Sequence, residues 1–289
     1  WIYEGFTSYY DDLSLARSHV TPTESYLEVL GQTLTRLERN AGRLKQTVTD
    51  SSFDAWTKFY QQDASAINNI VSYYVKGAVI ALCLDLHIRI QSKHTLSLDN
   101  VMRYLWLHHG KLGVGTPDDI IHHIVLEVFK LPLAQFLQDA LYSTKELPVQ
   151  SLLAEFGIIM QRRARSDAND LGGKAANRVQ GNQFGASFKS SETGVIITQV
   201  SENTPAYHAG LQVGDQLISF DDWQVSTGNL LNIYAQYANN AQVRLFILRH
   251  QRLKQLTLKI NEAQLDTLYL TISDQQKLKL WLPDNKQNL

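Results

Sequence analysis

Residues 162–183, RRARSDANDLGGKAANRVQGNQ, divide the chain in two. The stretch mixes Gly, Asn, Ser and charged residues and shows no apolar periodicity, so the segment 166–183 reads as a linker. The texture on its two sides differs, and the difference predicts a multidomain fold, α before the linker and α+β or β after it. A length of 289 residues suits two domains, and 44% hydrophobic content suffices to bury a core in each.

Before the linker, residues 1–165 read as an all-helical lobe. TPTE (21–24) and TPDD (116–119) carry the parts of helix-opening capping boxes, and Ser97 can cap LDNVMRYLWLHH, which Gly110 then ends. SYYVKGAVIALCLDLHIRI (72–90) and LAQFLQDALY (133–142) give further helices. The apolar run GAVIALCLDLHIRI is broken by Asp85, His87 and Arg89, which argues for a buried helix rather than a membrane span. Cys83, the one cysteine, lies inside it and reads as a small core hydrophobe. A lone cysteine fits a reducing compartment, and a cytoplasmic location is expected.

After the linker come short β-rich runs, GVIITQV (194–200), QLISF (216–220), VRLFILR (243–249) and LKQLTLKI (253–260), with one inserted helix, NLLNIYAQYA (229–238). SENTPAYHAGLQVGDQLISFDDWQV (201–225) resembles the PDZ core of bacterial proteases. Gly210 suits a positive φ at a helix end, Gly214 serves a turn, and Leu211 and Leu217 face the core. The resemblance implies a PDZ-like domain over 184–262, followed by a C-terminal extension, 263–289. It also places a carboxylate-binding loop at Phe184, Gly185, Ala186, Ser187 and Phe188. A peptide C-terminus would add as a strand between the strand of Phe188 and the helix 230–238. The competing reading is a PDZ-like domain that binds nothing and braces its neighbour.

A net charge of −1 gives no electrostatic case for nucleic acid or a membrane surface. His123 and Glu127 stand at i, i+4, but two ligands do not make a zinc site, and no H-E-x-x-H occurs. A surface pair is the better reading. No Ser-His-Asp or Cys-His arrangement and no phosphate loop stands out.

The opening WIYEGFTSYY (1–10) sets Ile2, Phe6, Tyr9 and Leu13 on one helical face and Glu4 opposite them. Glu4 is then an ordinary solvated acid or one side of a site. The segment looks like W-x-x-E-G-F-T-S-Y-Y of the glycyl aminopeptidase family of zinc metallopeptidases. The likeness continues through NAGRLKQTVTDSSFDAWTKFY, SYYVKGAVIALCLDLHIR, SLDNVMRYLW, ELPVQSLLAEFG and the late LWL.

What the resemblance implies is specific. The helical part would be the C-terminal lobe of a thermolysin-like peptidase, with Glu4 as the third zinc ligand. Two His ligands and the general base would come from an H-E-x-x-H helix upstream of Trp1, in a missing N-terminal part of the same protein. YVKG (74–77) matches the Y-E-K-G segment of related aminopeptidases, whose Tyr donates to the oxyanion, so Tyr74 is the expected catalytic residue, with Tyr73 its competitor about 100° round the helix. The substrate would be a peptide with a free N-terminus and a small first residue, Gly or Ala, and the chain alone would be inert. The alternative is a non-catalytic PDZ-type peptide-binding module on a helical platform.

Overall fold

A computed structural model describes residues 1–167, 169–174 and 183–283. Residues 168 and 175–182, half of the expected linker, and 284–289 lie outside the described residues.

The first half is built on helices α1 (Ile2–Arg17), α2 (Thr23–Glu38), α3 (Val48–Phe53), α4 (Ala66–Asn69), α5 (Tyr73–Gln91), α6 (Leu98–Leu105), α7 (Ile120–His122), α8 (Ala134–Tyr142) and α9 (Val149–Glu155). Helix α5 is the axis. Ser72 caps it by accepting from the Val75 N–H, and residues 76–86 are buried without interruption. A helix apolar all round has to be surrounded, and α1, α2, α3, α6 and α9 pack around this one. By length and composition residues 66–91 would suffice to cross a membrane, against the sequence expectation, yet 67% of the most apolar stretch is buried within the lobe.

The break in that run does structural work. Asp85 is fully buried and accepts from the Tyr9 hydroxyl (2.8 Å), the Leu98 N–H (2.8 Å) and Arg89 Nε (3.1 Å). Tyr9 in turn accepts from Trp281 Nε1 at 3.2 Å. One carboxylate thus joins α1, α5, the start of α6 and the chain's last described turn. A buried charge is tolerated only with such partners.

Two capping expectations change. Pro22, extended at φ −58° and ψ 148°, stands just outside α2, which begins at Thr23 with no side-chain cap. Thr116 caps nothing; its hydroxyl meets Tyr3 Oη at 3.0 Å, and α7 starts only at Ile120. Ser97 and Asn100 do form a reciprocal capping box on α6. π-helical turns follow α3 (Ala55–Phe59), α6 (Trp106–Gly110) and α7 (His123–Val128).

The lobe is not all-helical. Strand β1 (Ile158–Arg163) pairs antiparallel with a strand at Thr267–Ile272, more than a hundred residues later. Ile158 is buried and Ile159 exposed, so the short apolar start of β1 has a strand's alternation that the adjoining Arg-rich segment hides. The C-terminal extension therefore returns to the lobe. After its strand comes a short helix, Gln275–Leu278, and fully buried Trp281 lies against Tyr26 and Phe156.

Between these two strands sits the PDZ-like domain, an insertion rather than an appendage. Its strands are β2 (Ala186–Ser190), β3 (Val195–Val200), β4 (Gln216–Phe220), β5 (Trp223–Gln224), β6 (Gln242–Arg249) and β7 (Arg252–Lys259). They pair antiparallel in the order β2-β3-β4-β6-β7, with β5 on β4, leaving β2 at an edge; the lobe strand Thr267–Ile272 is β8. Helices α10 (Pro205–His208) and α11 (Leu230–Tyr234) cover a separate core that includes Phe184, Leu211, Leu217, Phe220 and Tyr234; Gln275–Leu278 is α12. Helix α11 ends four residues short of the expected 238. Gly210 and Gly214 do adopt positive φ, +78° and +89°.

Candidate active site

The geometry starts from two glycines. A Cβ placed on Gly5 would lie 2.6 Å from the backbone carbon of Gly77, so α1 and α5 cross in main-chain contact. Any side chain at Gly5 would wedge the helices apart. Glu4 precedes one glycine by a residue and Tyr74 precedes the other by nearly a turn. The crossing therefore sets the carboxylate beside the phenol. The two expected site residues, 70 positions apart in sequence, are brought together.

Tyr74 is half-buried and its hydroxyl shares a 2.9 Å hydrogen bond with the Tyr60 hydroxyl. Its pKa is raised, first by that bond, with the nearby Glu4 carboxylate acting in the same direction. Tyr73, the competitor, is buried, and its hydroxyl meets the same Tyr60 hydroxyl at 3.0 Å. Burial raises its pKa as well. With their pKa values raised, Tyr73 and Tyr74 are protonated at neutral pH, the state in which each can donate.

Tyr60 was not singled out by the sequence. It closes the π-helical turn after α3, flanked by Trp56 (5.1 Å between ring centroids) and Phe59 (5.4 Å), and Phe59 reaches Tyr73 at 5.2 Å. The available signal was the spacing of Trp56, Phe59 and Tyr60 in AWTKFY, aromatic without the regular apolar stripe of a core helix. π-helical turns recur at functional sites.

Glu4 is half-buried in the first turn of α1. Its carboxylate is a hard oxygen donor of the kind zinc accepts, and it fits as one ligand of a set. No group of three His, Cys, Asp or Glu among the described residues could hold a metal ion. His123 and Glu127 are an exposed pair, 2.9 Å apart.

The PDZ loop is made differently. Gly185 stands at φ +88°, and a Cβ there would collide with the Thr204 side chain. The loop carbonyls are taken: Phe184 O accepts from the Ala206 N–H (3.0 Å) and Gly185 O from the Ser201 N–H (2.8 Å). The N–H groups of Phe184 and Gly185 have no acceptor among the described residues. Phe184 is buried, Ala186 and Ser187 begin β2, and Phe188 packs on the core beyond a bulge. The loop and α11 face the lobe across a cavity of about 690 Å³, whose far side includes Arg39, Arg43 and Leu44. Lys45–Glu202 (2.6 Å) and Asn68 to the Val200 carbonyl (2.8 Å) tie the two sides.

Residues 1–80 match the M61 glycyl aminopeptidase family and residues 183–260 the PDZ domain family. An aminopeptidase N family protein from Idiomarina loihiensis, known by crystal structure, superposes with a TM-score of 0.89 at 42% identity, over 98% of this chain and 48% of that one. Over 74 residues, 25% of this chain, the sequence is 36% identical to the serine endoprotease DegS of Haemophilus influenzae and 40% identical to a probable periplasmic serine endoprotease DegP-like of Rickettsia prowazekii. The likeness to these two belongs to the PDZ domain. The chain spans 22% and 14% of their lengths, and about half that of the aminopeptidase N family protein. The chain is thus similar to glycyl aminopeptidases over its first 80 residues and to PDZ domains over residues 183–260.

Proposed function

We propose that this chain is the C-terminal part of a zinc-dependent aminopeptidase that removes small N-terminal residues, Gly or Ala, from peptides. What supports this reading above all is the convergence of Glu4 and Tyr74 at the Gly5–Gly77 crossing. Glu4 would be one zinc ligand, and two His ligands and the general base would come from an H-E-x-x-H segment preceding Trp1. Zinc, when bound, supplies Lewis-acid polarisation of the scissile carbonyl. The Tyr74 hydroxyl donates to the oxyanion that develops as that carbonyl becomes tetrahedral. The N–H groups of Phe184 and Gly185, without an acceptor among the described residues, favour a second role, capture of a peptide C-terminus at the PDZ loop beside the edge of β2.

In the complete enzyme, Glu4→Ala should lower zinc occupancy and activity together. Metal analysis after dialysis, beside the rate of glycine release from Gly-p-nitroanilide, tests it. Full occupancy with a normal rate would make Glu4 a bystander. The chain by itself should release no glycine, because one carboxylate cannot replace a three-ligand set.

A further inference from the structure

Resting on the reading of Tyr74 as oxyanion donor, we propose that Tyr73, Tyr60 and Tyr74 form a one-way hydroxyl relay in which Tyr60 is the positioning residue. A phenol has one O–H to give and oxygen lone pairs to receive with. Tyr60 Oη lies 2.9 Å from Tyr74 Oη and 3.0 Å from Tyr73 Oη, so it is the shared middle member. If Tyr74 gave its proton to Tyr60, none would remain for the substrate. For Tyr74 to donate outward, Tyr60 must donate to Tyr74. The single proton of Tyr60 is then committed, and Tyr73 must donate to Tyr60. The direction of all three bonds follows from that count.

The surroundings hold the relay in place. Tyr73 is buried, so its hydroxyl has few other acceptors. Trp56 and Phe59 flank the Tyr60 ring, and Phe59 lies against both Tyr73 and Tyr74, at 5.2 and 6.0 Å. The Tyr73 hydroxyl and the Glu4 carboxylate are the other polar neighbours of the Tyr74 hydroxyl, and Glu4 marks the side on which the substrate carbonyl would sit. Donation from Tyr60 polarises the Tyr74 O–H, strengthening it as a donor, and aims it.

Tyr60 is 49% exposed, so Tyr60→Phe deletes a hydroxyl without opening a cavity. In the complete enzyme this change should lower kcat roughly 3- to 10-fold, leaving KM and zinc content unchanged. Affinity for a phosphinic dipeptide isostere, which carries the tetrahedral oxyanion, should fall by the same factor. Placed in a Tyr74→Phe background, Tyr60→Phe should cost nothing further. A wild-type kcat for Tyr60→Phe overturns the relay, as does an equal loss with or without the Tyr74 hydroxyl. A Tyr74→Phe enzyme at full rate removes the underlying reading of the site, and the relay with it.

Discussion

The crossing of α1 and α5 and the PDZ loop solve one problem in opposite ways. Both need a main chain to come unusually close to a neighbour, and both use glycine for it. At the crossing, Gly5 and Gly77 bring together helices from distant parts of the sequence, and the proposed site residues Glu4 and Tyr74 sit beside the contact. In the loop, Gly185 turns a local segment at positive φ, and the groups proposed to bind are its own N–H donors. The first site exists only once the lobe has assembled around α5. The second is held within one domain by the segment 201–206. A site made by packing is as sensitive as the packing; a site made by local conformation survives changes elsewhere.

The largest expected effect sharpens that contrast. Asp85→Ala should destabilise the lobe by about 3–5 kcal/mol, because Arg89 and the Leu98 N–H lose their buried partner. The PDZ domain has its own core and should keep its melting transition. Calorimetry on the variant checks this; two transitions falling together would mean that the domains unfold as one unit.

Next, Gly5→Ala should cost about 1–3 kcal/mol as the helices are forced apart. Gly210→Ala has nothing within 4 Å of its new methyl and should cost about 1 kcal/mol, from its positive φ alone. Chemical denaturation of both variants gives the comparison. In the complete enzyme only Gly5→Ala should also reduce kcat, since it moves Glu4 relative to Tyr74.

A further effect, on binding rather than stability, is read on the loop. A peptide with a free C-terminus should bind the chain at least about tenfold more tightly than its amide, a difference of about 1.4 kcal/mol. Titration followed by amide shifts of residues 184–188 decides it. Equal behaviour of the two peptides would leave the PDZ domain as a brace on the lobe.

Legibility followed the same line. The Ser97 cap and the turns at Gly210 and Gly214 are decided by a few adjacent residues, and the sequence showed them. Glu4 and Tyr74 were named through family resemblance, and the Gly5–Gly77 contact that sets them side by side is tertiary. The β1–β8 pair was not legible, since a six-residue strand ending in Gln-Arg-Arg announces no partner beyond a whole inserted domain. Tyr60 was hidden for a related reason. Its meaning lies in two hydroxyls contributed by another helix, and nothing in AWTKFY names them. The expected cap at Thr116 failed because a motif for starting a helix was taken up by a tertiary bond to Tyr3.

The pairing of β1 with β8 makes the PDZ domain a guest fastened at both ends. A covalent break introduced between β1 and β2 would not set it free. The six-residue ladder and the buried Trp281 would keep the C-terminal piece clasped to the lobe. Such a nicked molecule should run as two bands on a denaturing gel and as one peak on a sizing column. The fold is, in effect, a ring closed by hydrogen bonds, and opening it at one point leaves its circumference intact.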